Sequence, residues 1–225
     1  MELTYEQLAR YIDHTLLKPE ASKLEVKKLC QEAAGLGFYS VCVNPVYLDD
    51  VVELLRGSKV KVGTVVGFPL GANAPEVKAF EANDAILRGT QELDMVMSIG
   101  AFKSGDLNLV REDIDGVVSS AKRNSVLVKV IIETAFLSEE EMRIACRLCE
   151  RAGADFVKTS TGWGPRGATV EDVKLIRSFL SPRIRVKAAG GIRTAAQAVS
   201  LIEAGADRIG TSAGVKIMEE FKSSY

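Results

Sequence analysis

The amino-acid sequence alternates from end to end between short runs of β-forming residues and longer amphipathic segments. Such alternation is typical of parallel strands connected by crossover helices, so the sequence predicts an α/β fold. The eight predicted strands are Tyr11–Leu16, Tyr39–Val43, Val60–Val66, Glu92–Met97, Val126–Ile132, Asp155–Thr159, Ile184–Ala189 and Asp207–Thr211. The eight predicted helices are Ser22–Leu36, Val46–Arg56, Pro75–Arg88, Asp106–Asn124, Ser138–Ala152, Thr169–Leu180, Thr194–Ala204 and Ala213–Lys222.

Cap residues support these boundaries, since Ser138 and Thr194 are typical N-cap residues at the start of amphipathic segments. Eight regular units in 225 residues favour closure into a (β/α)8 TIM barrel over the alternative, an open doubly wound sheet. No shift in composition divides the chain, so residues 1–225 are expected to form a single domain. The glycines predicted to end helices are Gly37, Gly89, Gly153 and Gly205.

Charge and composition argue against several classes of protein. The 29 basic and 30 acidic residues leave a net charge of −1, which gives no general attraction to nucleic acid or anionic lipid. The sequence starts without a secretion signal, and no run approaches the roughly 18 apolar residues of a transmembrane helix. Four cysteines in apolar surroundings suggest free thiols in a reducing compartment. We therefore expect a cytoplasmic protein with no nucleic-acid or membrane partner.

Several charged residues stand inside otherwise apolar strands. Successive residues of a strand point to opposite faces, and the outer face of a barrel packs against helices. These charges are therefore expected to point into the barrel, where isolated charges would cost several kcal/mol. A cluster of them implies either a compensated ion network or a reactive site. The charged strand residues are Asp94, Lys129, Lys158 and Lys187, with Asp13 and Cys42 expected beside them.

Two of these lysines suggest amine chemistry. A lysine attacks a carbonyl only as a neutral amine, and its ordinary pKa of about 10.4 leaves little of that form at neutral pH. A second ammonium group in a dry pocket lowers this pKa, and Lys158 and Lys187 lie on consecutive predicted strands. Asp94 could relay the protons of such a reaction. The alternative is that Asp94 merely neutralises Lys129 or Lys187.

Glycine-rich segments follow the last two predicted strands. The sequences AAGGIRT, residues 188–194, and IGTSAG, residues 209–214, each stand between a strand and a helix. Loops at this place in a barrel frequently bind phosphate through backbone N–H groups and a helix N-terminus. The sequence therefore predicts a phosphorylated substrate, although such glycines could also serve only as tight turns.

Other motifs are discounted. GWGPRG, residues 162–167, fits the dinucleotide-binding spacing, but the next strand presents Lys187 where an acidic residue is required, so no nicotinamide cofactor is expected. Cys146 and Cys149 lie in a predicted helix without a second pair, which favours packing over metal or redox roles. His14 is the only histidine and is expected to be a structural residue beside Asp13. We predict no cofactor and no metal.

Seven motifs together resemble the deoxyribose-phosphate aldolase family over nearly the whole chain. They are YIDHTLL, VCVNP, ELDMVMSIGA, VKVIIET, GADFVKTSTG, VKAAGGIRT and RIGTSAG. The resemblance implies reversible cleavage of 2-deoxy-D-ribose 5-phosphate to acetaldehyde and D-glyceraldehyde 3-phosphate by a metal-free class I aldolase. It implies that Lys158 forms the Schiff base, an order of the two lysines that the residues alone do not give.

The resemblance also assigns the other site residues. It implies that Lys187 lowers the pKa of the nucleophile and relays protons, and that Asp94 is the acid and base. The supporting network is expected to hold Asp13, Lys129 and Cys42, and the phosphate site Gly190, Gly191, Gly210 and Ser212.

The chain departs from some relatives directly after TSTG, where Trp163 replaces a lysine and Arg166 could supply the missing charge. The terminal Tyr225 either assists protonation, as in some longer family members, or frays in solvent. Other phosphosugar-binding barrels, catalytic or regulatory, are the alternatives in function. A homodimer is expected from the general frequency of such assemblies.

Overall fold

The structure is a computed structural model that describes residues 3–224. Its strands form a closed barrel in which each strand pairs in parallel with the next and the last pairs with the first. This closure confirms the predicted (β/α)8 architecture and excludes the open sheet. The strands are β1 Ile12–Leu16, β2 Ser40–Val43, β3 Lys61–Val66, β4 Glu92–Val96, β5 Leu127–Ile131, β6 Phe156–Lys158, β7 Arg185–Ala189 and β8 Arg208–Thr211.

Helices surround the barrel, and all eight predicted helices are present with ends that differ by a few residues. The sequence analysis missed the short helices before β1 and after β4, and the 3₁₀ turns Pro45–Tyr47 and Thr134–Phe136. The helices are α1 Tyr5–Ala9, α2 Lys23–Leu36, α3 Leu48–Leu54, α4 Pro75–Leu87, α5 Ile99–Lys103, α6 Leu107–Lys122, α7 Glu139–Ala152, α8 Val170–Phe179, α9 Ala195–Glu203 and α10 Gly214–Ser224. None of the described helices is long and apolar enough to cross a membrane.

The helix ends follow the local chemistry of the sequence. Ser138 caps α7 through a reciprocal capping box with Glu141, and the Thr194 side chain accepts a hydrogen bond at the start of α9. Gly37 and Gly153 end α2 and α7 with left-handed backbone angles, φ 70° and 76°, which glycine adopts without a Cβ clash. The two predicted N-caps and these two glycine ends are therefore confirmed. Gly89 and Gly205 also have positive φ angles, but each follows the capping residue, Arg88 or Ala204.

The barrel wall separates an apolar layer from a polar interior. Val128, Val157 and Val186 on β5 to β7 are fully buried in the apolar core between the strands and the helices. Burial of one such side chain contributes about 1.5–3 kcal/mol. The alternating positions point inward, and there Lys158 lies opposite Lys187 in the pairing of β6 with β7. The fold is thus stabilised outside the barrel, which leaves the interior for polar groups.

A buried ion pair outside the barrel stabilises the end of β4. Lys78 on α4 and Asp113 on α6 are both fully buried, with Nζ 2.8 Å from Oδ2. The Lys78 ammonium also donates to the carbonyl of Val96, and Asp113 accepts a hydrogen bond from the N–H of Ser98. These bonds fix the chain directly after β4, which carries Asp94, the predicted catalytic carboxylate.

Candidate active site

A single carboxylate gathers all three interior lysines. Asp94 on β4 is 1% exposed, and its Oδ2 lies 2.7 Å from Nζ of Lys158 and 2.8 Å from Nζ of Lys187. Its Oδ1 lies 2.8 Å from Nζ of Lys129. The cluster therefore joins four strands, β4 to β7, at one point of the barrel interior, as the strand pattern predicts.

The backbone of Lys158 is held on both sides. Its carbonyl accepts a hydrogen bond from the N–H of Ile132, and the N–H of the next residue, Thr159, donates to the carbonyl of Lys187. The Thr159 hydroxyl in turn donates to the carbonyl of Ala189. Although β6 has three residues, these bonds prolong its pairing with both neighbouring strands.

Further charged residues lie deeper in the barrel. Asp13 on β1 is fully buried, lies 2.7 Å from Nζ of Lys187 and forms an ion pair with Arg208 on β8. Glu92 on β4 lies 2.8 Å from both Lys129 and Arg208. The sequence analysis missed Glu92 and Arg208. The signal was present, because Glu92 stands two residues before Asp94 and therefore shares its face of the strand.

The two central lysines differ in their pKa. Burial lowers the pKa of Lys158; Asp94 opposes this shift and the charge of Lys187 adds to it. Burial also acts against protonation of Lys187, but the nearby Asp13 and Asp94 outweigh it and raise the pKa of Lys187. The Asp94 carboxyl is buried, yet the three ammonium groups hold its pKa well below the ordinary value. The arrangement makes the Lys158 ammonium easier to deprotonate than the Lys187 ammonium.

Cys42 on β2 lies near this cluster, as predicted. Burial raises the pKa of its thiol to about 11, and the charge of Asp94 adds to this shift. The thiol is therefore neutral at physiological pH and leaves the charge of the interior unchanged.

A cleft of about 220 Å³ opens above the cluster at the carboxyl ends of the strands. It brings together Lys158 and all four residues predicted for the phosphate site. Gly190 and Gly191 have positive φ angles of 90° and 76°, which allow the chain to turn tightly between β7 and α9. The glycines that line the cleft are Gly162, Gly190, Gly191 and Gly210, and Ser212 lies beside them.

Gly210 has a second role in the barrel. A Cβ atom at this position would lie 2.9 Å from Cε of Lys187 and 3.0 Å from Cβ of Ala189. Any side chain would therefore displace the buried lysine or the strand beside it. The glycine is needed for the Lys187 side chain as well as for the cleft.

The comparisons with known proteins agree with this geometry. The model of the DeoC/LacD family aldolases matches residues 8–220. The chain belongs to this aldolase family. It is 55% identical to a deoxyribose-phosphate aldolase of Thermoanaerobacter sp. (strain X514), over 95% of this chain and 96% of that protein. It is 58% identical to one from Thermococcus gammatolerans, over 94% and 95%.

Solved structures give the same result. The aldolase resembles a tetrameric deoxyribose phosphate aldolase from Aeropyrum pernix with a TM-score of 0.92 and 39% identity, covering 99% of this chain and 94% of that one. A second solved aldolase, QR15, is 47% identical with a TM-score of 0.91, covering 96% of each chain.

The loop after β6 differs from the sequence-based expectation for phosphate binding. Arg166 does not turn to the cleft; it forms an ion pair with Asp172 at the start of α8 and donates to the carbonyl of Thr134. Trp163 lines the cleft and is 55% exposed. Lys18 and Arg193 are the exposed basic residues among the described cleft-lining positions. The exposed positive charges at the cleft therefore lie on the loops after β1 and β7.

A buried glutamate holds the same loop in place through hydrogen bonds. Glu133 is 2% exposed, has a left-handed backbone (φ 52°), and accepts hydrogen bonds from the N–H and the hydroxyl of Thr161. A Cβ on Gly164 would lie 2.9 Å from the carboxylate of Glu133. These contacts hold the start of the loop, which follows Lys158, against β5.

The discounted residues occupy structural positions. Cys146 and Cys149 are buried on α7, and burial raises the pKa of both thiols. His14 is buried, but its partner is Glu32 on α2, 2.9 Å from Nε2, and not the neighbouring Asp13. The side chains of His14 and Asp13 point to opposite faces of β1, which is the reason for this difference. Within residues 3–224, no cluster of histidine, cysteine and carboxylate side chains could hold a metal ion. Tyr225 lies outside the described residues.

Proposed function

We propose that this protein catalyses reversible retro-aldol cleavage of 2-deoxy-D-ribose 5-phosphate to acetaldehyde and D-glyceraldehyde 3-phosphate through a Schiff base on Lys158. The observation that carries the proposal is the position of this buried lysine. Its Nζ lies 2.7 Å from Asp94 and faces a cleft that also contains the glycine-rich loops after β7 and β8. The curated relatives named deoxyribose-phosphate aldolase support this choice of substrate.

Lys158 is the better nucleophile of the two lysines. It lines the cleft, and burial with the neighbouring charge of Lys187 lowers its pKa. Lys187 lies between Asp13 and Asp94, which raise its pKa. Lys158 would therefore give the neutral amine that attacks a carbonyl in the cleft more readily than Lys187, which keeps its proton.

The remaining groups account for the proton transfers. When the Lys158 amine adds to the substrate aldehyde, one proton moves from nitrogen to the carbonyl oxygen and gives the carbinolamine. A second proton then lets this oxygen leave as water, which forms the protonated imine. The protonated imine then accepts the electron pair of the breaking C2–C3 bond, while the 3-hydroxyl loses its proton and D-glyceraldehyde 3-phosphate is released. The enamine that remains gains a proton at carbon, and water hydrolyses the imine to release acetaldehyde. Asp94 and Lys187 are the proposed proton acceptor and donor beside Lys158.

The phosphate is proposed to lie against the loops after β7 and β8. Gly190 and Gly191 leave the backbone accessible to an anion, and Ser212 precedes the N-terminus of α10. Lys18 and Arg193 line the same cleft and would add positive charge. Together these groups would place the far end of a phosphorylated sugar at a fixed distance from Lys158.

The test is reductive trapping. The protein is incubated with acetaldehyde and sodium borohydride, and the modified peptide is identified by mass spectrometry. An ethyl adduct on Lys158, together with cleavage of deoxyribose 5-phosphate, is the expected result. The Lys174→Arg variant, changed on the exposed surface of α8, should trap equally well and is the matched control. Binding or isomerisation of a phosphosugar without any adduct would instead favour another phosphosugar-binding barrel.

We also propose a single domain, a homo-oligomeric assembly such as a dimer, and a cytoplasmic location. The even composition supports one domain, and the tetrameric relative from Aeropyrum pernix is an example of assembly in this family. No cofactor is required by the chemistry proposed here, because the imine itself accepts the electron pair.

A further inference from the structure

Two buried residues form the floor of the polar interior without lining the catalytic cleft. Arg208 lies with its guanidinium carbon 3.2 Å from the centre of the Tyr39 ring, and its Nη2 lies 2.8 Å from Glu92. Arg208 is 2% exposed and Glu92 1%. They lie at the amino-terminal ends of β8 and β4, whereas chemistry in a barrel takes place at the carboxyl ends. Neither residue is therefore placed to touch a substrate.

The fully buried charges of the interior do not balance. Three carboxylates face four basic groups, and the Cys42 thiol is neutral. If every lysine were protonated, the interior would carry one excess positive charge; with one neutral lysine it carries none. Lys61 and Arg185 at the amino-terminal rim are exposed or half-buried, so solvent screens them. The buried groups are Asp13, Glu92, Asp94, Lys129, Lys158, Lys187 and Arg208.

The three lysines differ in the number of their carboxylate partners. Glu92 and Asp94 each lie 2.8 Å from Nζ of Lys129 and Asp13 lies 3.9 Å from it, so Lys129 has three carboxylate partners. Asp13 and Asp94 give Lys187 two partners. Lys158 has one, the oxygen of Asp94 that it shares with Lys187. Glu92 of the floor pair thus supplies Lys129 with a carboxylate, and Lys129 in turn occupies Oδ1 of Asp94.

We propose that Glu92 and Arg208 are positioning residues that set the charge balance of the barrel interior, so that Lys158 is the lysine left as a neutral amine. The proposal rests on the role of Lys158 in the proposed aldolase reaction. The groups that face Lys158 directly are Asp94 from β4, Lys187 from β7 and Cys42 from β2. The ion pairs of Glu92 and Arg208 are with Lys129, Asp13 and each other.

This arrangement gives opposite expectations for two substitutions. Arg208→Met removes a positive charge, so protonation of Lys158 becomes easier and its pKa rises. Glu92→Gln removes a negative charge, so protonation becomes harder and the pKa falls. A charge roughly 10 Å away in a medium of effective dielectric near 20 changes a pKa by about one unit.

The experiment measures the rate of borohydride-trapped imine formation with acetaldehyde between pH 5 and about 10. The rising part of the pH profile should move to higher pH by about one unit in Arg208→Met and to lower pH in Glu92→Gln. In the double variant, which restores equal charge, it should return close to the wild-type position. If either single substitution prevents folding, the double variant can still be measured against the wild type. Circular dichroism checks that each protein is folded.

Arg185→Met is the matched control, since Arg185 stacks on Phe156 at the same end of the barrel but is partly exposed. Its profile should stay within a few tenths of a unit of the wild type because solvent screens this charge. The proposal would be wrong if both single variants form imine more slowly but their pH profiles are not displaced along the pH axis. It would also be wrong if the pH profile of the double variant stays displaced. Failure of the wild-type protein to form any imine would instead contradict the proposed function.

Discussion

Lys158 and Lys187 share one carboxylate oxygen, because their Nζ atoms lie 2.7 and 2.8 Å from the same Oδ2 of Asp94. Two ammonium groups at one oxygen repel each other strongly in a buried site. Asp13 stabilises the charge on Lys187 and has no contact of this kind with Lys158. The pair therefore divides into a protonated lysine and a lysine with a lowered pKa, and this division is the basis of the expectations that follow.

Lys158→Arg should abolish cleavage and imine trapping while the protein stays folded. Arginine remains protonated at any accessible pH and cannot form the imine, whereas its positive charge can still pair with Asp94. Borohydride trapping and a cleavage assay measure the loss, and a thermal unfolding curve checks the fold. Adduct formation at another lysine in the folded variant would show that Lys158 is not the nucleophile.

Lys187→Leu should move the rising part of the pH profile of imine formation to higher pH. The substitution removes a repelling charge and leaves Asp94 to Lys158, and both effects raise the pKa of Lys158. A shift of one unit corresponds to a loss of about tenfold at neutral pH. If the rate falls equally at all pH values, Lys187 acts as a proton carrier without an electrostatic effect on Lys158.

Asp94→Asn should have the opposite effect on the same profile. Asp94 raises the pKa of Lys158, so its neutralisation should move the rising part to lower pH, while the loss of the proton acceptor lowers the maximum rate by about 10²–10⁴-fold. Single-turnover trapping separates the two effects. A profile displaced to higher pH would contradict this account of the site.

Gly210→Ala should reduce kcat by about tenfold or more and leave KM for the phosphosugar less affected. The added Cβ would lie 2.9 Å from Cε of Lys187, so the ammonium should move away from Asp94. Steady-state kinetics give both constants. Gly35→Ala on α2 is the control, because nothing lies within 4 Å of its added Cβ, and its kinetics should match the wild type. Unchanged kcat in Gly210→Ala would mean that Lys187 tolerates displacement.

Lys18→Ala and Arg193→Ala should each raise KM for deoxyribose 5-phosphate by about tenfold, which corresponds to a charge-assisted contact of about 1.4 kcal/mol. Rates with unphosphorylated 2-deoxyribose should not change, because that substrate has no phosphate to hold. Lys174→Ala on α8 is the control for removal of a surface charge. Equal losses with both substrates would place these side chains elsewhere in the reaction.

The sequence predicts the catalytic cluster because a charge within an apolar strand has only one face on which to lie. Lys158 and Lys187 are therefore recognisable in advance, but their division of labour depends on Asp13, which belongs to a strand far away in the chain. Arg208 is harder to find because it stands at the start of its strand, beside Asp207, where charged residues commonly mark an exposed end.

The partner that a side chain contacts is less predictable than the helix or strand on which it lies. Arg166 follows the GWG loop and could face either way; its contact with Asp172 depends on where α8 begins. His14 pairs with Glu32 because β1 packs against α2, a relation that only the assembled fold provides. Local patterns thus give the elements and the inward charges, whereas tertiary packing selects the partners.

The backbone bonds on both sides of Lys158 have a consequence for the speed of the first covalent step. The carbonyl of Lys158 and the N–H of Thr159 are already engaged by Ile132, directly after β5, and by β7, so the proposed nucleophile loses its backbone freedom when the chain folds and not when an aldehyde arrives. An encounter with the substrate then requires little rearrangement of the protein. A nucleophile on a mobile loop would have to become ordered in every catalytic cycle, whereas this enzyme orders its amine once, during folding.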